Sequence, residues 1–180
     1  DYYKRIKSAW KLNRRQLGAL AALSDWREAT ARRRDKPRNW IIDDKACMQL
    51  ARERPRSQSA LHAINELPTG LVKRRGSQLL GLLEQAEQLD DGQLPPELPP
   101  PLDSKQRDQV KKVKGRAREI AASLAVAPEI LLPSRDYEQL VREASGQSAQ
   151  EPVHWQGWRL ETIIEPLRDY LRQELGSAPA

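Results

Sequence analysis

The chain has 180 residues, with 31 Lys and Arg against 25 Asp and Glu for a net charge of +6, and 38% hydrophobic residues. That length accommodates one ordinary domain or two small ones, and the balance of apolar and charged residues excludes a disordered chain. No apolar run is long enough to cross a bilayer and no secretory signal is visible; the single cysteine, Cys47, excludes an internal disulfide and suits a reducing, cytoplasmic compartment.

The charge is unevenly placed. Residues 1–38 hold twelve Lys/Arg against four acids and residues 104–118 hold seven against one, which leaves the remainder acidic by −8. Two basic segments on an acidic background point to an anionic partner, nucleic acid before a membrane surface. A single such cluster also suits a plain solvated helix face. The chain opens on Asp1 and not on Met, the expectation for a piece of a longer protein.

Residues 1–12, DYYKRIKSAWKL, are basic and aromatic without a clear cap and read as a connector, or a helix leading in, from an upstream domain. Asn13 followed by Gln16 has the spacing of a capping box. Leu17, Leu20, Ala21, Ser24, Glu28 and Ala31 follow one helical row, with Leu23 and Trp26 beside it, which predicts a helix to about Lys36 that stops before Pro37. Its last turn carries Arg32, Arg33, Arg34 and Lys36, where cations also suit the helix dipole. Residues 37–40 read as a loop and Ile41-Ile42 as an apolar plug between helices. Asp43 is a cap for a short helix ended by Pro55, and Ser57 is a cap for another. Pro68-Thr69 starts a helical turn expected to be interrupted at Gly76, and the leucines from Leu79 to Leu89 form a closing helix.

Residues 90–102, DDGQLPPELPPPL, hold five of the thirteen prolines, a density that predicts a semi-rigid polyproline-like spacer. Beyond it Asp103 and Gln106 repeat the capping pattern. Val110, Val113, Ala117, Ile120 and Leu124 mark one helix face, and Lys111, Lys112, Lys114 and Arg118 the opposite one. Residues 127–134 repeat the loop, the plug and a cap, here Ser134, and Leu140-Val141 follow Leu50-Ala51 at a spacing of 90. A polar loop at 145–152 and the step Gly157-Trp158-Arg159 then lead to a closing helix marked by Leu160, Ile163, Ile164, Leu167, Tyr170 and Leu171. The same order of elements occurs twice, which reads as a duplication. The expected fold is all-α: a connector (1–12), a first five-helix bundle (13–90), a Pro-rich linker (91–102) and a second, divergent five-helix bundle (103–180).

No catalytic or metal site is legible. His62 and His154 lie far apart, no HExxH, CxxC, P-loop, GxGxxG or GxSxG is present, and Asp43-Asp44 and Asp90-Asp91 are explained by capping and solubility. Cys47 reads as a small core residue, His62 as a surface or half-buried residue and Trp158 as core. Binding chemistry is legible. Arg14, Arg15, Arg32, Arg33, Arg34, Lys36 and Arg38 are candidate phosphate contacts, with Lys73, Arg74, Arg75 and Lys111, Lys112, Lys114 as further clusters. Trp40 either packs over the Ile41-Ile42 plug or stacks on an unpaired base.

The pattern Leu20-x-x-Leu23-x-x-Trp26-Arg27, Ala31, Arg34-Asp35-x-Pro37, Ile41-Ile42-x-Asp44, Leu50-Ala51 and Arg54-Pro55-x-Ser57 resembles the HRDC domain, named for helicases and ribonuclease D C-termini. The lead-in Tyr3-Lys4-Arg5-Ile6-Lys7-x-Ala9-Trp10-Lys11-Leu12, the tandem copies and Gly157-Trp158-Arg159 resemble the C-terminal region of the bacterial ribonuclease D family. The resemblance is strong over 1–89 and weak over 103–175. It implies a parent 3′→5′ exoribonuclease of the DEDD type that trims tRNA precursors and other structured RNA with a 3′ tail. Its catalytic residues and two divalent metals, Mg or Mn, would belong to an upstream nuclease domain, with no cofactor in the present chain. Helicase versions often carry a GVG-type turn, whereas this chain has Pro68-Thr69-Gly70, so the helicase contacts do not transfer. Two functions follow as expectations for a monomeric protein without a membrane role. One is an RNA-binding accessory region; the other is an intramolecular scaffold bracing the nuclease domain, with little nucleic-acid binding of its own.

Overall fold

The computed structural model describes residues 2–147 and 151–176, and among them the secondary structure is entirely helical. The chain separates into two compact units, Asp1–Pro100 and Pro101–Ala180, each with its own hydrophobic core.

In the first unit the lead-in residues form two 3-10 turns, Tyr2–Arg5 and Ala9–Lys11. Tyr3, Ile6, Ala9 and Leu12 enter the core from them. Helix α1, Arg14–Arg34, opens on Asn13 with the capping box closed in both directions: Gln16 N donates to Asn13 Oδ1 at 3.0 Å and Asn13 N to Gln16 Oε1 at 3.1 Å. Such a cap is worth about 1 kcal/mol because it satisfies two amides that the first helical turn leaves without partners. Leu17, Leu20 and Leu23 are fully buried along one stripe of α1. At about 1.5–3 kcal/mol for each large apolar side chain removed from water, that stripe outweighs the cap and fixes which face points inward.

Asp35 stops α1 in a left-handed conformation (φ 49°), with Lys36 N reaching back to Ala31 O at 3.0 Å. The expected loop at 37–40 is mostly a single turn of helix, α2, Arg38–Ile41. Ile42 is buried and Ile41 only partly so, so one residue of the expected plug does the filling. Helix α3, Asp44–Glu53, is capped by Asp43 through Ala46 N (2.7 Å), and α4, Gln58–His62, by Ser57 through Ala60 N (3.2 Å). Arg27, only 3% exposed, ties α1 to this region by donating to Ile42 O (3.3 Å) and Asp44 Oδ1 (2.6 Å). Helix α5, Thr69–Glu87, runs without interruption through Gly76, contrary to expectation. The neighbouring Gln58 side chain lies where a β-carbon would sit, so glycine there relieves crowding and does not end the helix.

The Pro-rich stretch is anchored to the first unit. Leu94 is buried and Leu98 packs on the first core. The stretch begins with a turn at 91–94, closed by Gln93 N to Asp90 O at 2.9 Å, and Leu94 and Pro95 lie against Gly18 of α1.

The second unit repeats the plan. Helix α6, Ser104–Ser123, opens on Asp103 with a second closed capping box, Gln106 N to Asp103 Oδ1 at 2.7 Å and Asp103 N to Gln106 Oε1 at 3.1 Å. Ala125 follows it in a left-handed conformation (φ 52°), with Val126 N bonded to Ala121 O at 3.0 Å. Helices α7, Pro128–Leu131, and α8, Ser134–Ala144, come next. Each of these features stands 90 residues after its counterpart in the first unit. Ser134 is not the cap; Pro133 occupies that place and makes no side-chain cap bond. Of the polar loop at 145–152, residues 148–150 lie outside the described residues. A 3-10 turn, Val153–Trp155, and a π-helical turn, Leu160–Ile164, precede α9, Glu165–Gly176. Trp155 is fully buried and donates its Nε1 to the buried Asp136 Oδ2 at 2.7 Å. Trp158, expected in the core, is 52% exposed with the Arg159 guanidinium over its ring at 4.6 Å. The buried indole of this unit is Trp155.

Candidate nucleic-acid interface

The candidate cations fall into separate sets with different surroundings. Arg14 and Arg15 stand at the start of α1, about 30 Å along its axis from Arg34 at the 1.5 Å rise of an α-helix. Arg14 donates to the carbonyls of Asp91, Leu94 (3.2 Å) and Pro95 (3.3 Å). Arg15 donates to the carbonyls of Glu87 (3.1 Å) and Leu89 and to the Asp91 carboxylate (2.9 Å). Both guanidinium groups hold the chain as it leaves α5, a use of the fork geometry that neither spacing nor charge discloses.

At the other end of α1, residues 32–40 are all exposed. Arg32 Nε donates to Glu28 Oε1 at 3.0 Å, and Arg38 Nε lies 3.5 Å from Glu28 Oε2. The hydrogen bond to Glu28, its charge and a bond to the Tyr2 hydroxyl hold the Arg32 guanidinium still more firmly protonated than usual. Arg38 stacks on the Tyr2 ring at 4.6 Å and Lys36 stands over the Trp40 ring at 5.5 Å. Trp40 is 73% exposed, so it does not cover the Ile41-Ile42 plug. Among the described residues, Arg33 and Arg34 have no ion-pair partner. A shallow groove lined by Tyr2, Glu28, Arg32, Lys36 and Arg38 runs across this end. Chemically it offers several guanidinium and ammonium donors beside an exposed indole, the combination that binds phosphates and an unpaired base.

The other clusters offer less. Lys73 and Arg74 are exposed on the first turns of α5, and Arg75 donates to Gln78 at 3.1 Å. In the second unit Lys111 pairs with Asp108 (3.1 Å), Lys112 with Glu174, and Lys114 with Ser134 Oγ (3.3 Å) and the Tyr137 ring. The Glu174 hydrogen bond and charge raise the Lys112 pKa further. The groove also holds Tyr2, Glu28 and Asp35, polar residues outside the sequence-based candidates. The four-residue step from Glu28 to Arg32 was readable as a helical ion pair, whereas Tyr2 reaches Arg38 only through tertiary packing.

Cys47 is fully buried, and burial pushes its thiol up to about 12, which removes it as a nucleophile or metal ligand near neutral pH. Among the described residues no cluster of three or more His, Cys, Asp or Glu is arranged to hold a metal ion. No described helix is long and apolar enough to cross a membrane.

Residues 16–83 match the family model of the HRDC domain. The chain is 31% identical to ribonuclease D of Pseudomonas paraeruginosa over 95% of its own length and 46% of that protein. It is 29% identical to ribonuclease D of Escherichia coli over 96% of its length and 47% of the relative. The crystal structure of the Escherichia coli enzyme, described as an exoribonuclease involved in structured RNA processing, superposes with a TM-score of 0.66 at 30% identity, over 96% of this chain and 46% of that one. The chain therefore spans about half the length of the curated relatives it matches.

Proposed function

Residues 16–83 being an HRDC domain, and the chain as a whole being homologous to ribonuclease D, we propose that it serves as the RNA-binding accessory region of a 3′→5′ exoribonuclease. In this proposal the parent enzyme trims the 3′ ends of tRNA precursors and related structured RNA in the cytoplasm, as a monomer. Its catalytic acids and its Mg or Mn ions belong to a nuclease domain that contacts this region. The observation that carries the proposal is the exposed end of α1, where Arg33 and Arg34 have no ion-pair partner among the described residues and Trp40 stands open beside Lys36. Arg32, Arg33, Arg34, Lys36 and Arg38 are the phosphate contacts and Trp40 the base contact. Lys73 and Arg74 can extend the track, while Arg14 and Arg15 hold the fold.

The test is fluorescence anisotropy of an RNA hairpin with a single-stranded 3′ tail across a salt series, with duplex DNA of equal charge as control. Binding that weakens steeply with salt and favours the RNA is the expected outcome. Arg33→Ala/Arg34→Ala should lower affinity and reduce the slope of log K on log salt by about 1–2, at roughly 0.7–0.9 for each phosphate no longer neutralised. Absence of binding at low salt removes this function.

A second role, bracing a nuclease domain, is favoured by the second unit. There the three candidate lysines are engaged within the unit, and the stretch from the end of α6 into α7 presents Leu124, Val126 and Ile130 to solvent. Under this reading the charge-removing variants leave RNA affinity unchanged.

A further inference from the structure

Glu28 stands between the two arginines that line the groove, and it is placed unlike the other acids of the basic end. Its side chain is only 19% exposed, and its two oxygens face Arg32 Nε (3.0 Å) and Arg38 Nε (3.5 Å). Both contacts use the inner Nε of the guanidinium. The Nη pairs of the two residues are not what faces the carboxylate, and it is the Nη edge that gives a planar fork its outward pair of donors. Arg38 is held from a second side by the Tyr2 ring at 4.6 Å. One largely buried carboxylate thus accepts a hydrogen bond from Arg32 and, by charge rather than by a hydrogen bond, draws Arg38, which the Tyr2 ring flanks. Both guanidinium groups therefore have part of their rotamer freedom removed before a ligand arrives.

The duplicated unit indicates that this arrangement is not required by the fold. At the 90-residue spacing, Glu28, Arg32 and Arg38 correspond to Arg118, Ala122 and Pro128. Yet α6, the left-handed residue after it and α7 form there at matching positions, with the closing bond from Val126 to Ala121 in place of that from Lys36 to Ala31. The end of a helix can be built without the triad.

We propose that Glu28 is a positioning residue which aims the Nη edges of Arg32 and Arg38 at a backbone phosphate of bound RNA; this rests on the RNA-binding function proposed above. A plain electrostatic view gives the opposite sign, since removing a negative charge from a cationic surface strengthens its attraction for a polyanion. The two effects are separable by experiment.

Anisotropy titrations of the tailed RNA hairpin, with thermal unfolding of each variant alongside, make the test. Glu28→Gln is expected to weaken binding about three- to tenfold despite the gain of one positive unit in net charge, as the loss of fork alignment at bidentate arginine sites does. In an Arg32→Lys/Arg38→Lys background, which keeps the charges and removes the forks, binding is weaker at a nearly unchanged salt slope, and Glu28→Gln then has no further weakening effect. If Glu28→Gln binds as tightly as the wild type or more tightly, Glu28 is a competitor for the arginines and the proposal is overturned. Equal weakening in both backgrounds also overturns it, since Glu28 would then act through the fold. Failure of the underlying function looks different: the wild type itself shows no salt-sensitive RNA binding.

Discussion

Two buried titratable residues make single substitutions informative. Asp136 is 1% exposed and accepts hydrogen bonds from Trp155 Nε1 and from the His154 ring, with Arg135 3.6 Å away. Asp136→Ala leaves the buried indole N–H without a partner, and a loss of about 2–4 kcal/mol is expected for breaking such a pairing inside a core. Urea unfolding followed by tryptophan fluorescence measures it; a loss below about 0.5 kcal/mol, the range of ordinary surface changes, would show that water replaces the carboxylate. Cys47 provides a pH dependence. In the unfolded chain the thiol ionises near its ordinary 9.0, and in the fold burial delays this to about 12. The folded state thus keeps a proton the unfolded state has lost, so this group's contribution to stability is full below 9 and declines as pH rises toward 12. Cys47→Ala is expected to unfold with a shallower alkaline decline between about pH 8 and pH 10.5. An unchanged decline assigns the effect to other groups.

At the scale of elements, two glycines sit in helices with nothing near the space a side chain would take: Gly81 in α5 and Gly115 in α6. Gly81→Ala and Gly115→Ala are each expected to stabilise the protein by about 0.5–1 kcal/mol through helix propensity and a less free unfolded chain, read as a shift in the urea midpoint. Arg14→Ala/Arg15→Ala is expected to do the reverse locally. Without their hydrogen bonds to the carbonyls, the 89–101 stretch should be cleaved faster by proteases, while the helical circular dichroism is kept. These elements also show how far the sequence could be read. The capping boxes at Asn13 and Asp103 and the leucine stripe of α1 are local patterns, and the structure has them as written. What escaped is tertiary. Tyr3 and Ile6 find a core because α1 offers one, Leu94 is buried because two arginines hold its neighbours, and Trp155 displaces Trp158 from the interior. The candidate site was legible as charge, since Arg32, Arg33 and Arg34 are exposed as composition suggests. The different use of Arg14 and Arg15 was not, because a guanidinium that binds carbonyls looks in sequence like one that binds phosphate.

For the molecule as a whole, the two cores draw on separate residues, one rich in leucine around α1 and α5, the other built on Val110, Val113, Trp155, Ile163 and Ile164. A chain ending at Pro100 is expected to unfold cooperatively by itself, since its core is complete within that span; a broad, non-cooperative melt would show that the first unit leans on the second. The uniform 90-residue spacing of caps, left-handed stops and short helices has a consequence for synthesis. Repeated units emerging in sequence risk exchanging equivalent helices before either has closed, a characteristic misfolding route of tandem domains. Here α1 offers Leu20, Leu23 and Arg27 where α6 offers Val110, Val113 and Ala117, and the partner of Arg27, Asp44, is matched by Ser134. An exchanged α1 would bring a charged arginine into a core that has no acid at the matching position, so the divergence of the two copies helps each to be completed from its own stretch of chain.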